Sequence, residues 1–429
     1  MRTLFKTVLL IVSLSLLWAI FIVFGTLSGW WHKPITDSNN PDDFITEAKK
    51  EIDKSFVGSF AMALVEDGVV YDEYLFSLDN SVNRNTAFQA ASLSKWVTAW
   101  GVMSLVDNGK LNLDEPISKY LTRWQLPKGE FNNNEVTVRL LLSHTAGLTD
   151  GLGYAGFSPE TPIQSLEESL TRASDASPGA NGEVKVGIKP GSEWIYSGGG
   201  YTLLQLLVEE VSETSFQDYM NETIFKPLGM INSTFVWDDT LNSNLAIFYT
   251  QDASIAKHYR YTSLAATSLY TSLNDMELFV KAHFEGVHKE VKGRGVLGVN
   301  TLNEMIKPHA YQMGAAIWGL GTMLYADNNQ NGYVIGHDGK NEPAINTAVR
   351  LNPATGNGII ILEMGNPLLA TEIGGEWIFW KTGNIDSLSF IMLIEPIKIW
   401  VGIGWLVILS FVIALKMLKK KTNTDVKYK

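Results

Sequence analysis

Ala90-Ala91-Ser92-Leu93-Ser94-Lys95-Trp96 places a hydroxyl and an amine three residues apart. Positions three apart share a helix face, so Ser92 and Lys95 come within reach of each other. The apolar neighbours Phe88, Ala90, Ala91, Leu93, Trp96 and Val97 bury the amine, and burial disfavours its charged form. An uncharged amine can take the hydroxyl proton and turn a weak nucleophile into an acylating one. The spacing recurs at Ser254 and Lys257, in Gln251-Asp252-Ala253-Ser254-Ile255-Ala256-Lys257-His258, but that stretch is polar and Lys257 reads as solvated. Ser92 is the candidate nucleophile and Lys95 its base.

Outward from this motif, the chain of 429 residues is 45% hydrophobic, ample for a large core. Residues 7–29 form a long apolar run preceded by Arg2 and Lys6, and residues 399–415 form a second, followed by Lys416, Lys419, Lys420 and Lys421. Both runs are long enough to span a bilayer, and basic flanks stay cytoplasmic. This predicts N- and C-terminal transmembrane helices, a tether at 30–43, a domain at 44–386 outside the cytoplasm, and a basic cytoplasmic tail at 416–429. A cleaved signal peptide is the competing reading of the first run, and a buried core helix that of the second.

There is no cysteine, which removes disulfides, thiol nucleophiles and Cys-based zinc sites. A net charge of −11 argues against a nucleic-acid partner. Of the seven histidines, His283 and His288 come closest to ligand spacing and read as a solvated pair rather than a metal site. No metal or organic cofactor is implied.

Residues 56–65 and 69–76 read as strands around Glu66-Asp67-Gly68, a hairpin turn. Helical patterns follow at 93–108, 137–143 and 201–212; strands return at 332–335, 344–351 and 358–364, with a last helix at 368–380. Strands at both ends of the domain and helices between them predict one α+β unit whose sheet joins the chain ends.

Three further segments carry a resemblance: Asp107-Asn108-Gly109-Lys110-Leu111-Asn112-Leu113-Asp114-Glu115-Pro116, Val136-Thr137-Val138-Arg139-Leu140-Leu141-Leu142-Ser143-His144-Thr145-Ala146-Gly147-Leu148 and Lys226-Pro227-Leu228-Gly229-Met230. With SxxK, and in this order, residues 44–383 resemble the serine β-lactamase-like family of class C β-lactamases, low-molecular-weight penicillin-binding proteins and related esterases. The resemblance implies a β-lactamase/transpeptidase-like α+β fold, an antiparallel sheet flanked by helices with an all-helical lobe, and a serine hydrolase working through an acyl-enzyme. The family's Tyr-x-Asn motif maps to Tyr196-Ser197-Gly198, with Gly198 in the Asn position. Its Lys-Thr-Gly strand motif maps to a His variant, His337-Asp338-Gly339; the literal Lys381-Thr382-Gly383 follows the last helix and reads as coincidence.

By the same resemblance, Tyr196 relays protons, with cationic neighbours stabilising its ionised form. The amides of Ser92 and Lys340 form the oxyanion hole, and Gly339 lets a substrate backbone approach the strand. His144 suggests a Ser-His-Asp triad, but no GxSxG elbow exists and a structural role is favoured. In relatives acting on β-lactams or D-Ala-D-Ala ends, the Asn binds the acyl amide and Lys-Thr favours a carboxylate. Here Gly198 has no amide, His337 is mostly neutral, and Asp338 would repel a carboxylate if it faced the cleft. These departures point to an ester or less charged acyl substrate. The rivals are a D,D-carboxypeptidase or β-lactamase of the cell envelope, and a non-catalytic receptor that keeps the fold.

Overall fold

The computed structural model describes residues 2–425 except 56, 57, 80 and 152. The hairpin forms as β1 (Ser59–Glu66) and β2 (Val69–Ser77), with Val69 paired to Glu66 across the Asp67-Gly68 turn; the expected start of its first strand, at 56 and 57, lies outside the described residues. Two-residue strands β3 (Phe88–Gln89) and β4 (Tyr270–Thr271) pair apart from the main sheet. The chain then adds β5 (Ala310–Gln312), β6 (Ala315–Trp318), β7 (Met323–Asp327), β8 (Tyr333–Asn341), β9 (Ile345–Asn352) and β10 (Asn357–Met364). The main sheet is antiparallel in the order β2-β1-β10-β9-β8-β7-β6-β5, so strands from the two ends of the domain pair within it, β1 against β10, one strand in from the β2 edge. β5, β6 and β7 carry no signal in the sequence reading, being too short for alternation to show.

Alternation along the strands divides the core. Ala61, Ala63 and Val65 of β1, with Ile360 and Leu362 of β10, face the helical lobe, while Phe60, Met62 and Leu64, with Ile359 and Ile361, face the opposite layer. The lobe includes the helices Ser94–Asp107 and Gly198–Ser212. The opposite layer holds the last helix, Leu369–Thr382, and a helix at Pro41–Lys54 that takes in three residues expected in the tether. Asn40 caps this helix by accepting from the Asp42 amide, Pro41 starts it, and Phe44, Ile45, Ala48 and Ile52 form its buried stripe. The preceding segment is tied down rather than free: the Ile35 amide donates to Glu376 (3.0 Å) and Trp380 Nε1 to the Ser38 carbonyl (2.7 Å).

The terminal helices are Arg2–Leu27 and Ser387–Asp425. Each contains a stretch long and apolar enough to cross a membrane, Phe5–Leu27 and Pro396–Met417. They lie side by side, with Trp18 Nε1 donating to the Trp400 carbonyl (3.0 Å) and Trp405 Nε1 to the Ser15 carbonyl (3.2 Å).

Candidate active site

Ser92 sits in a single 3-10 turn, Ala91–Leu93, that feeds directly into the helix Ser94–Asp107. Ala91 enters it at φ +46°, a left-handed conformation that an alanine adopts only under constraint. The constraint comes from neighbouring backbone: the Ala90 amide donates to the Leu269 carbonyl (2.7 Å), and Ser94 Oγ accepts from the Leu269 amide (2.9 Å) while donating to the Ala91 carbonyl (2.5 Å). Ser94 thus holds the turn while Ser92 remains partly exposed.

Lys95 Nζ lies 3.2 Å from Ser92 Oγ and 2.7 Å from the Ala266 carbonyl. It is 2% exposed, and burial lowers its pKa to about 7 against the weaker opposing pull of Asp150. As a free amine it donates one hydrogen to Ala266 and keeps a lone pair for the Ser92 proton. The Tyr196 ring centroid is 4.8 Å from Nζ, and the Tyr196 hydroxyl bonds Ser92. Burial pushes the Tyr196 phenol above its ordinary value, with the Ser92 bond opposing, so the ionised tyrosine expected from the resemblance is not favoured. The low-pKa group of the cluster is Lys95.

Tyr196 is placed by the start of the helix Gly198–Ser212, three residues earlier than its apolar pattern predicts. Three glycines are poor helix formers, but the caps compensate: Ser197 Oγ accepts from the Gly200 amide (2.8 Å) and donates to Asp150, whose other oxygen accepts from the Gly199 amide (2.8 Å). His144 Nδ1 accepts from the Ser197 amide (3.1 Å), and its ring lies 4.4 Å from that of Tyr196 and 4.7 Å from that of Trp318. Burial holds His144 well below its ordinary pKa, with Lys95 and His337 adding to the effect. It is a neutral wall of the site that positions the Tyr196 segment.

On β8, residues 337 and 339 face the lobe and 338 faces away. His337 Nδ1 lies 2.6 Å from the Asp338 carbonyl, so Nδ1 carries the proton and Nε2 is a buried acceptor without a partner among the described residues. Burial, then the proximity of Lys95, lowers its pKa to about 3. One expectation is corrected here. Asp338 does not threaten a substrate carboxylate, because its oxygens are held by Arg350, by Tyr325 Oη (2.7 Å) and by Thr371 Oγ1 (2.6 Å) on the opposite face. Gly339 also has a packing role: a β-carbon there would lie 2.0 Å from the Ala90 carbonyl oxygen, so the strand runs close to the turn bearing Ser92. Lys340 follows Gly339 on the strand with its side chain exposed.

Gly198 is explained by Tyr154: a β-carbon at 198 would stand 2.9 Å from Tyr154 Cε2. Tyr154, Trp318 and the Ala266 carbonyl are site components that sequence reasoning missed, since no local pattern marks them. The other candidates lie elsewhere. Ser254 Oγ bonds Thr250 and Asp252. Lys381 pairs with Glu66 at the hairpin end of the sheet (2.7 Å). His283, expected to be solvated, is buried, accepting from Trp100 Nε1 (3.2 Å) between Trp96 and Phe279.

An antiparallel sheet backed by helices, with a Ser-Lys-Tyr cluster where sheet and helical lobe meet, defines the β-lactamase/transpeptidase-like class of folds. Residues 42–372 match the family model described as Beta-lactamase, and the chain belongs to that family. It is 23% identical to Protein flp of Staphylococcus aureus (strain MRSA252) over 340 residues, 76% of this chain and 63% of that protein, so it spans under two thirds of that relative's length. It is 31% identical to Penicillin-binding protein 4* of Bacillus subtilis (strain 168) over 158 residues, 37% of this chain and 32% of that one. Among solved structures, the octameric penicillin-binding protein homologue from Pyrococcus abyssi superposes with TM-score 0.63 at 23% identity, covering 82% of this chain and 78% of its own. The Beta-Lactamase/D-Alanine Carboxypeptidase from Pseudomonas syringae gives TM-score 0.60 at 18% identity, covering 78% and 96%. At these identities the structural likenesses speak to fold alone.

Proposed function

We propose that the protein is a membrane-tethered serine hydrolase that acts outside the cytoplasm on esters or weakly charged acyl substrates. The single observation that carries this reading is the buried Lys95 amine, at pKa about 7 and 3.2 Å from Ser92 Oγ. Lys95 takes the Ser92 proton as Oγ bonds the substrate carbonyl carbon. The amides of Ser92 and Lys340 receive the oxyanion. The bond to the leaving oxygen breaks, and the proton passes from Lys95 through the Tyr196 hydroxyl to that oxygen. Water then attacks the acyl-enzyme, gives its proton back along the same route, and frees Ser92.

Substrate class follows from what the site lacks. Gly198 has no amide to bind an acyl amide, and a neutral His337 gives a carboxylate no charge partner. These features weigh against the D-alanine carboxypeptidase activity named for the Pseudomonas syringae neighbour. They favour a neutral substrate, with His337 Nε2 accepting from a hydroxyl or N–H. The intact Ser92, Lys95 and Tyr196 cluster weighs against a non-catalytic receptor. The two apolar helices support anchors at 7–29 and 399–415 holding the domain 44–386, and their side-by-side contact fits both chain ends lying on one side.

The test is probe labelling of full-length protein in membranes. A fluorophosphonate should label the wild type and not Ser92→Ala, whereas fluorescent penicillin should label weakly. Efficient penicillin labelling with no ester turnover would overturn the substrate class, and absence of any Ser92-dependent label would overturn the hydrolase.

A further inference from the structure

The elements flanking Ser92 converge beyond it. Tyr196, two residues before Gly198, bonds Ser92 on one side, and Gly339 of β8 lies against the Ala90 carbonyl on the other. The space beyond Ser92 runs outward between these two elements, with Gly198 on one side and the end of β8 on the other. In this chain that end is closed. Asn341 Nδ2, at the last position of β8, donates to the Tyr154 carbonyl (3.1 Å) and to Tyr261 Oη (2.7 Å), joining the strand to the opposite side.

The closure is braced from behind. The edge of the Tyr154 ring stands where a side chain on Gly198 would point. Its hydroxyl is bonded to Thr202 Oγ1 (2.6 Å), which is bonded in turn to Ser263 Oγ (2.5 Å), so the ring cannot swing aside without breaking a buried chain of hydroxyls. The segments bearing Tyr154 and Tyr261 are also laced together, Phe157 and Arg260 exchanging two backbone hydrogen bonds at 2.7 and 2.9 Å. Both tyrosines are buried, Tyr261 at 2% exposure. Two tyrosine rings and a carboxamide make a wall without charge.

We propose that Tyr154, Tyr261 and Asn341 form the end wall of the acyl pocket and restrict the enzyme to short, uncharged acyl groups. This rests on the hydrolase reading above and adds the residues that set its selectivity. A long acyl chain meets the wall and must displace it, and forcing extra methylenes into a packed site is costly. Loss of the Asn341 bridge opens the end while leaving Ser92, Lys95 and Tyr196 in place.

The experiment uses full-length protein in one non-ionic detergent, with p-nitrophenyl acetate and octanoate as substrates and Ser92→Ala as the blank. The readout is the ratio of kcat/KM for octanoate to that for acetate, compared between wild type and variant so that partitioning into micelles cancels. Asn341→Ala should raise the ratio about tenfold, and Tyr154→Leu should move it the same way. A ratio unmoved in both folded variants overturns the wall but leaves the hydrolase standing. No Ser92-dependent turnover of either ester overturns both. If neither variant folds, the wild type decides: rates normalised to spontaneous hydrolysis in the same micelles should fall about tenfold from acetate to octanoate, and a flat or rising series overturns the wall.

Discussion

Replacing Lys95 by Met should separate what the amine does for chemistry from what it does to stability. Burial lowers this pKa from 10.5 to about 7. At about 1.4 kcal/mol per unit, holding the amine in the fold costs about 5 kcal/mol wherever both states would be charged. The folded value lies below the unfolded one, so between about pH 7 and pH 10.5 the unfolded chain binds the extra proton. Stability therefore falls as pH drops through that window and levels off below it. Lys95→Met does not titrate, and the groups that Lys95 shifts, His144, His337 and Asp150, are set first by burial, which both chains share. The variant's contacts to Ala266 and Ser92 are lost at all pH values, at about 1 kcal/mol each. Only the pH-dependent part isolates the buried amine: the stability of Lys95→Met relative to wild type should grow by about 2–3 kcal/mol from pH 9 to pH 6. Thermal unfolding followed by circular dichroism in detergent would read this as a Tm difference widening by several degrees. Parallel Tm–pH curves would show that Lys95 is solvated and ordinary, and the reasoning from burial would fail.

Three other outcomes follow from the geometry. Tyr196→Phe keeps the ring beside Lys95 and removes the hydroxyl, so kcat should fall about 10²–10⁴-fold, less for a nitrophenyl leaving group than for an alkoxide, as steady-state kinetics with both ester types would report. Arg350→Met leaves Asp338 without its cation in a buried layer and should destabilise the domain by about 3–5 kcal/mol, with Asp338→Asn in the same chain recovering part of the loss in urea unfolding. Gly198→Asn should be destabilised by about 1–3 kcal/mol through the clash with Tyr154, and Tyr154→Ala should relieve it, a double-mutant cycle readable in Tm.

The parts of this molecule that are legible in its sequence are those with local signatures. SxxK, the Asp67-Gly68 turn and the apolar strands β9 and β10 each speak for themselves within ten residues. The helix Pro41–Lys54 has a signature too, an Asn cap, a Pro start and an apolar stripe at Phe44, Ile45, Ala48 and Ile52, but the polar run before it reads as linker. What the sequence hides is long-range. Asp338 looks like a charge in the cleft until Arg350, on the neighbouring strand, claims it. Gly198 looks like a lost amide until Tyr154, 44 residues earlier, is found in its space. The early start of the Gly198–Ser212 helix defies propensity because Asp150 and Ser197 satisfy its first amides.

The most direct measurement of the central claim is the rate of covalent modification of Ser92 by a fluorophosphonate as a function of pH, with the site of attachment read by peptide mass spectrometry. The amine must be uncharged to accept the proton, so the rate should climb with pH through a midpoint near 7 and level off, all label residing on Ser92. Lys95→Met should react slowly and without that midpoint. A pH-independent rate in the wild type, or label on any other residue, would contradict the account.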